Sequence, residues 1–159
     1  MSAPTDFEEL LLLLARHGVE FVIVGGVAAV LHGAPVTTRD LDIVHARSPE
    51  NIARLLVGLR DLEAIYRHDP RRLQPRESHL SSPGHQLLET RLGDLDLLGS
   101  LGPGADYGEL VRDALDVDLG AAQVKLISLD RLIAVKEKLG RAKDLLMLVQ
   151  LRAIKAHGG

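Results

Sequence analysis

The 159-residue sequence contains no cysteine and no tryptophan, and it has only two phenylalanines and two tyrosines. Without cysteine, the chain can form neither disulfide bonds nor thiolate metal sites. Long hydrophobic runs are also missing. The five leucines at 10–14 are too few to span a bilayer, and no basic segment precedes them. We therefore expect a cytoplasmic protein with neither a signal peptide nor a membrane anchor.

An excess of positive charge is absent as well. The formal net charge is −3, which argues against indiscriminate binding to nucleic acid. The segment 66–86 is nevertheless locally rich in cations and is predicted to be irregular. It could attract RNA or simply face solvent, and no aromatic residues are interleaved with its cations to strengthen the RNA interpretation. These cations are Arg67, His68, Arg71, Arg72, Arg76 and His79.

Apolar periodicity, glycines and helix-capping residues predict alternating helices and strands. We predict one α/β domain with a mixed sheet over residues 1–159, with a core at about 19–128 and closing helices at about 129–156. Helices are expected at 6–17, 27–33, 48–62, 106–115, 129–140 and 143–156, and strands at 20–26, 38–44 and 123–128. A hairpin or two consecutive strands are expected at 87–99.

Two acids stand one residue apart in the predicted strand "TRDLDIV". Because side chains alternate along a strand, Asp40 and Asp42 share one face, while Leu41 and Ile43 face the core. Like charges this close repel unless a cation lies between them. Paired carboxylates suit Mg²⁺ or Mn²⁺. A strand with one face in water has the same spacing, so the motif alone leaves both interpretations open.

Two further features favour the metal. Gly25 and Gly26 lie between a predicted strand and a short helix, where backbone N–H groups can bind phosphate, although glycines also simply permit a tight turn. The later segment "GDLDLL" repeats the acidic spacing with Asp94 and Asp96. If this strand lies beside the first, a third carboxylate joins the pair.

The order of "VGG", thirteen residues, "DLD" and a later strand aspartate resembles the nucleotidyltransferase superfamily built on the DNA polymerase β palm. The C-terminal "SLDRLIAVKEKLGRAKDLLML" is similar to the end of small AbiEii-type toxin nucleotidyltransferases. The resemblance implies a polymerase β-type palm, a mixed sheet flanked by helices with further helices at the C-terminus. It also implies transfer of a nucleoside monophosphate from ATP or another NTP.

The resemblance also assigns residue roles. Gly25 and Gly26 would hold the triphosphate, and Asp40, Asp42 and Asp96 would hold Mg²⁺ or Mn²⁺. Asp96 would in addition help to activate the attacking hydroxyl. The sequence itself leaves open whether the neighbouring Asp94 joins the metal site. Many superfamily members have a serine at the position of Gly26.

Two C-terminal residues complete the site that the resemblance implies. Lys136 would approach the nucleotide phosphates, and Asp144 would face the cleft near the base or near the lysine. From the sequence alone, Lys136 also fits a solvated basic face, and Asp144 also fits a helix N-terminus, where an acid complements the helix dipole. His32 is expected to cap or pack the second helix.

The expected function is metal-dependent nucleotidyl transfer to a hydroxyl on RNA, with tRNA favoured, or on protein. By the toxin resemblance, a cognate antitoxin is the expected partner. The alternative is a catalytically inactive relative that binds nucleotide or a partner on the same fold.

Overall fold

The computed structural model describes residues 4–158 as a seven-stranded sheet flanked by helices. The helices are α1 (Phe7–Arg16), α2 (Gly25–Leu31), α3 (Pro49–Asp61), α4 (Glu77–Ser81), α5 (Tyr107–Leu110), α6 (Leu129–Leu139) and α7 (Ala142–Ala156). The strands are β1 (Phe21–Val24), β2 (Asp40–His45), β3 (Ile65–Tyr66), β4 (His85–Thr90), β5 (Gly93–Leu98), β6 (Leu115–Asp118) and β7 (Gln123–Leu126).

The strand order is β3-β4-β5-β2-β1-β7-β6, and the sheet is mixed, as predicted. β2 lies at its centre, antiparallel to β1 and parallel to β5. β1 is parallel to β7, and the outer pairs β4–β5 and β6–β7 are antiparallel. The predicted hairpin at 87–99 is therefore confirmed as β4–β5.

Local sequence signals explain several element boundaries. The Ser48 side chain accepts a hydrogen bond from the Asn51 N–H, and Pro49 occupies the first turn of α3, as the capping pattern predicts. α6 ends at Gly140, which has a φ of +60°. At the centre of the sheet, Leu41 and Ile43 are fully buried. They join leucines of α1 and α3 in one hydrophobic core.

Three expectations about the secondary structure were wrong. α2 begins at Gly25 rather than at residue 27, because Gly25 adopts a φ of +68° that lets β1 turn directly into the helix. The segment 66–86 is less irregular than predicted, since α4 forms around the fully buried Leu80 and β4 begins within it. The strands β3 and β6 were not predicted, because their pairing with β4 and β7 is a tertiary feature. The first residue of β6 was assigned to the preceding helix.

Within the described residues, no helix has the length and apolar character needed to cross a membrane.

Candidate functional site

The parallel pairing of β2 with β5 assembles the acids. Asp40 lies beside Asp94, and Asp42 lies beside Asp96, so all of them project from the same face of the sheet. One carboxylate oxygen each from Asp40, Asp42 and Asp96 lies within 4.8 Å of the others. The structure thus brings together the three carboxylates that the sequence singled out, while Asp94 lies at the edge of this group.

The electrostatics of this acid triad (Asp40, Asp42 and Asp96) are unfavourable without a cation. The pKa of Asp42 is raised to about 7, mainly by burial, then by the neighbouring Asp96 and to a smaller extent by Asp40. Burial also raises the pKa of Asp96, against the opposing effect of the Arg67 guanidinium. Repulsion and burial both favour the protonated acids, as expected for carboxylates that share one site.

The triad has the chemistry of a divalent-cation site. All of its donors are carboxylate oxygens, the ligands that Mg²⁺ and Mn²⁺ prefer. Among the described residues, Asp42 Oδ1 and Asp96 Oδ1 are buried oxygens that accept no hydrogen bond. Buried polar atoms normally have a partner, so Asp42 Oδ1 is suited to metal ligation. Asp96 Oδ1 has an electrostatic partner, because the Arg67 guanidinium lies 3.0 Å from it. The residues therefore fit the metal that the sequence predicts.

The two glycines at the start of α2 lie against this site. A Cβ atom at Gly25 would collide with the Asp42 carboxylate, and one at Gly26 would lie 2.7 Å from Thr38 Oγ1. A side chain at Gly25 would therefore displace the Asp42 carboxylate, and one at Gly26 would require Thr38 to move. The N-cap residue Val24 gives no side-chain hydrogen bond to the helix, so the first N–H groups of α2 are not capped by it.

Lys136 approaches the triad from α6. It is close enough to Asp42 to lower the pKa of that carboxyl slightly, against the larger effect of burial. Its Nζ also lies 3.2 Å from Oδ1 of Asp144, whose side chain is fully buried. Hydrogen bonding from Arg141, followed by that from Lys136, lowers the pKa of Asp144 to about 2 despite its burial. Asp144 thus contacts the lysine, one of the two positions expected for it.

One charged neighbour of the triad was missed at the level of sequence. Arg67 follows β3, and its Nη2 lies 3.0 Å from Asp96 Oδ1, while its Nη1 lies 3.9 Å from Asp94 Oδ2. Its Nη1 also donates to the Leu88 carbonyl at 2.8 Å. In the sequence, Arg67 was one cation in an irregular segment, and no local pattern distinguished it, because its partners belong to β4 and β5.

Other residues of that cationic segment contact one another or a neighbouring acid. Arg71 pairs with Asp69 at 2.9 Å, and the Arg76 N–H donates to His79 Nδ1. His32 is the C-cap residue of α2, as expected, and its Nε2 lies 2.8 Å from the Ile127 carbonyl.

A cavity of about 860 Å³ opens beside the site. It borders the acids through Asp94, which lies beside Asp40 in the sheet. Glu89, Ile65, Arg39 and Arg72 also line it. The volume falls in the range of small-ligand pockets, which is roughly 300–1,000 Å³.

No protein-family model and no curated protein sequence matches this chain. Among solved structures, the chain is similar to the lincosamide antibiotic adenylyltransferase LnuA in its lincomycin-bound form. That likeness has a TM-score of 0.63 at 14% identity and covers 96% of this chain and 99% of the other. It is also similar to the antibiotic-resistance factor ANT(2'')-Ia, with a TM-score of 0.55 at 12% identity over 95% and 88% of the two chains.

At these identities the comparisons show the fold. The chain has the polymerase β-type nucleotidyltransferase fold, with a mixed sheet flanked by helices, as the sequence resemblance implied. Its acid triad lies on the two central parallel strands of that sheet.

Proposed function

We propose that this chain is a metal-dependent nucleotidyltransferase that moves a nucleoside monophosphate from an NTP to a hydroxyl group. The observation that carries this proposal is the acid triad, whose three oxygens lie within 4.8 Å of one another in a nucleotidyltransferase fold. Such a cluster is unfavourable by itself, because burial and mutual repulsion raise the pKa of Asp42 to about 7. Binding of a cation would offset this cost, as expected if the cluster takes part in a cation-dependent reaction.

Asp40, Asp42 and Asp96 would hold Mg²⁺ or Mn²⁺. A divalent cation at this position supplies charge neutralisation at the phosphoryl group that is transferred. In the reaction, the acceptor oxygen forms a bond to the α-phosphorus, and the bond from that phosphorus to the pyrophosphate oxygen breaks. We assign the acceptor's proton to Asp96, a member of the triad whose carboxyl pKa is raised by burial.

Binding and charge stabilisation of the nucleotide fall to two other elements. Backbone N–H groups at Gly25 and Gly26 would bind the triphosphate, because the start of α2 lies against Asp42. Lys136 would offset the negative charge that develops on the departing pyrophosphate. Asp144 would act through Lys136, since its buried carboxylate contacts the Lys136 ammonium at 3.2 Å.

For the acceptor, we favour a small hydroxylated molecule over RNA. The cavity of about 860 Å³ that borders Asp94 has the volume of a small-ligand site. The cationic segment that could have attracted RNA is partly neutralised, because Arg67 and Arg71 pair with neighbouring acids. The similar structure LnuA was solved with the small molecule lincomycin bound.

A second candidate is the toxin role that the AbiEii-type resemblance implies, with transfer to tRNA or to protein and an antitoxin partner. One surface supports a partner. Leu145, Leu146 and Val149 on α7 are all more than half exposed, and they form an apolar stripe on a helix that carries site residues at its start. Exposed apolar stripes of this kind are typical of protein interfaces.

The test is direct. The purified protein is incubated with Mg²⁺ or Mn²⁺ and with each NTP labelled at its α-phosphate. Three acceptor classes are supplied: hydroxylated small molecules including lincomycin, total RNA including tRNA, and total protein. Label transfer that is lost in Asp40→Ala supports the proposal, and the class that is labelled identifies the acceptor. Metal-dependent NTP binding without any transfer would instead support the inactive, nucleotide-binding alternative.

A further inference from the structure

The guanidinium of Arg67 is the least expected group beside the acid triad. Its side chain is only 13% exposed, and hydrogen bonds hold both its backbone N–H and its guanidinium. The Arg67 N–H donates to the Leu87 carbonyl at 2.9 Å, which extends the β3–β4 ladder by one residue, and Nη1 donates to the Leu88 carbonyl. This anchoring leaves Nη2 to contact Asp96 Oδ1 at 3.0 Å.

The arginine contacts an oxygen that would otherwise be free to bind a cation. Asp96 Oδ1 is buried and accepts no well-directed hydrogen bond among the described residues, so its pairing with Arg67 is mainly electrostatic. Arg67 is also close enough to Asp94 and Asp40 to be affected by their charges. The charge of Arg67 therefore acts on Asp96, Asp94 and Asp40 together.

The charge balance of the cluster indicates an electrostatic role for Arg67. With Asp40, Asp42, Asp94 and Asp96 ionised, the two nearby cations Arg67 and Lys136 leave two negative charges. Replacing Arg67 by a neutral residue would leave three. Repulsion among the carboxylates would then grow in the metal-free protein, while the attraction of the cluster for a divalent cation would increase.

We propose that Arg67 is an internal counter-ion of the acid triad: it holds Asp96 in place before metal binds, and it competes with the metal for that carboxylate. Arg67 thus stabilises the metal-free protein and weakens divalent-metal binding. This inference rests on the proposed function, because it assumes that the triad binds metal. Arg67 is a positioning residue in this scheme, since it acts through Asp96.

The experiment measures Mn²⁺ binding to the metal-free protein by calorimetry and thermal unfolding without and with Mn²⁺. Arg67→Gln and Arg67→Met remove the charge, and the second retains most of the aliphatic packing. Arg67→Lys retains the charge. Arg71→Gln is the matched control, because Arg71 lies in the same loop but pairs with Asp69 and is 72% exposed.

We expect Mn²⁺ to bind about tenfold more tightly to both neutral variants, on the scale of losing one positive charge several ångströms from a divalent cation under water-like screening. Their metal-free melting temperatures should fall, and the increase caused by Mn²⁺ should be larger than in the wild type. Arg67→Lys should bind Mn²⁺ with nearly wild-type affinity, and Arg71→Gln should change neither quantity.

The result that overturns the inference is unchanged or weaker Mn²⁺ binding in the neutral variants, with their loss of stability equal in the presence and absence of metal. Arg67 would then be a structural residue only. Failure of the proposed function gives a different result, because the wild-type protein itself would not bind Mn²⁺ in a way that depends on Asp42.

Discussion

The substitution Asp42→Asn tests whether the acid triad binds a cation or instead stabilises the fold. The pKa of Asp42 is raised from its ordinary 3.8 to about 7, first by burial and then by Asp96. An acid with a higher pKa in the folded protein binds its proton more tightly there than in the unfolded chain. The free energy of unfolding of the metal-free protein therefore falls as the pH rises from about 4 to about 7.

The magnitude follows from that shift. At about 1.4 kcal/mol per pKa unit, the cost at neutral pH reaches roughly 4 kcal/mol, which is an upper value because the Asp42 and Asp96 carboxyls interact. Asparagine removes this charge and keeps nearly the same shape. We expect metal-free Asp42→Asn to be more stable than the wild type by about 1–3 kcal/mol at pH 8. At pH 5 this difference in the free energy of unfolding should be smaller by about 2–3 kcal/mol, because the wild-type carboxyl already carries a proton in the folded state.

The assay is urea denaturation with EDTA at the two pH values, followed by the same measurement with Mg²⁺ or Mn²⁺. With metal, the order should reverse, because the wild type gains stability by mass action and the variant does not. Asp116→Asn is the control: Asp116 pairs with Lys125 on the exposed edge of the sheet, and its loss should change stability by less than about 1 kcal/mol. A variant that is less stable than the wild type at pH 8, or one whose effect is the same at both pH values, would show that Asp42 is a structural residue and would refute the reasoning.

Three further predictions concern residues around the triad. Lys136→Ala should slow nucleotidyl transfer by about 10²–10³ in single-turnover assays while sparing the fold, because Arg141 still neutralises Asp144; unchanged transfer would remove the lysine from the site. Gly25→Ala should weaken Mn²⁺ binding measured by calorimetry, since its Cβ would displace the Asp42 carboxylate. Gly120→Ala also places a Cβ on a backbone with positive φ, but in open space, and should leave binding unchanged. Asp144→Asn should lower stability at pH 7 by about 1.5–3 kcal/mol, the scale of hydrogen bonds to a charged group. Because the pKa of Asp144 is lowered to about 2, this loss should vanish as the pH falls from about 4 to about 2 in acid-unfolding titrations, and persistence of the full loss at pH 2 would contradict the assigned ion pairs.

Much of the fold was predictable because its signals are local. The cap of α3 at Ser48, the end of α6 at Gly140 and the alternation of Asp40 with Leu41 each depend on residues within one turn or one strand. The two pairs of acids were also predictable from local sequence, because each pair lies in a single strand. Boundaries failed where a distant contact decided them, as with β6, whose partner β7 determines its conformation.

The sequence by itself determined which acids share a strand face, because side chains alternate along any extended backbone. It could not determine that β5 would lie parallel to β2 with Asp96 beside Asp42, since that register depends on the whole sheet. Only the tertiary structure decided that Lys136 approaches Asp42 and that Arg67 pairs with Asp96. Both cations come from segments far along the chain from β2, and the physical reason they meet the acids is packing. Long-range pairing of strands and helices places these charges together, and no local pattern in either segment specifies it.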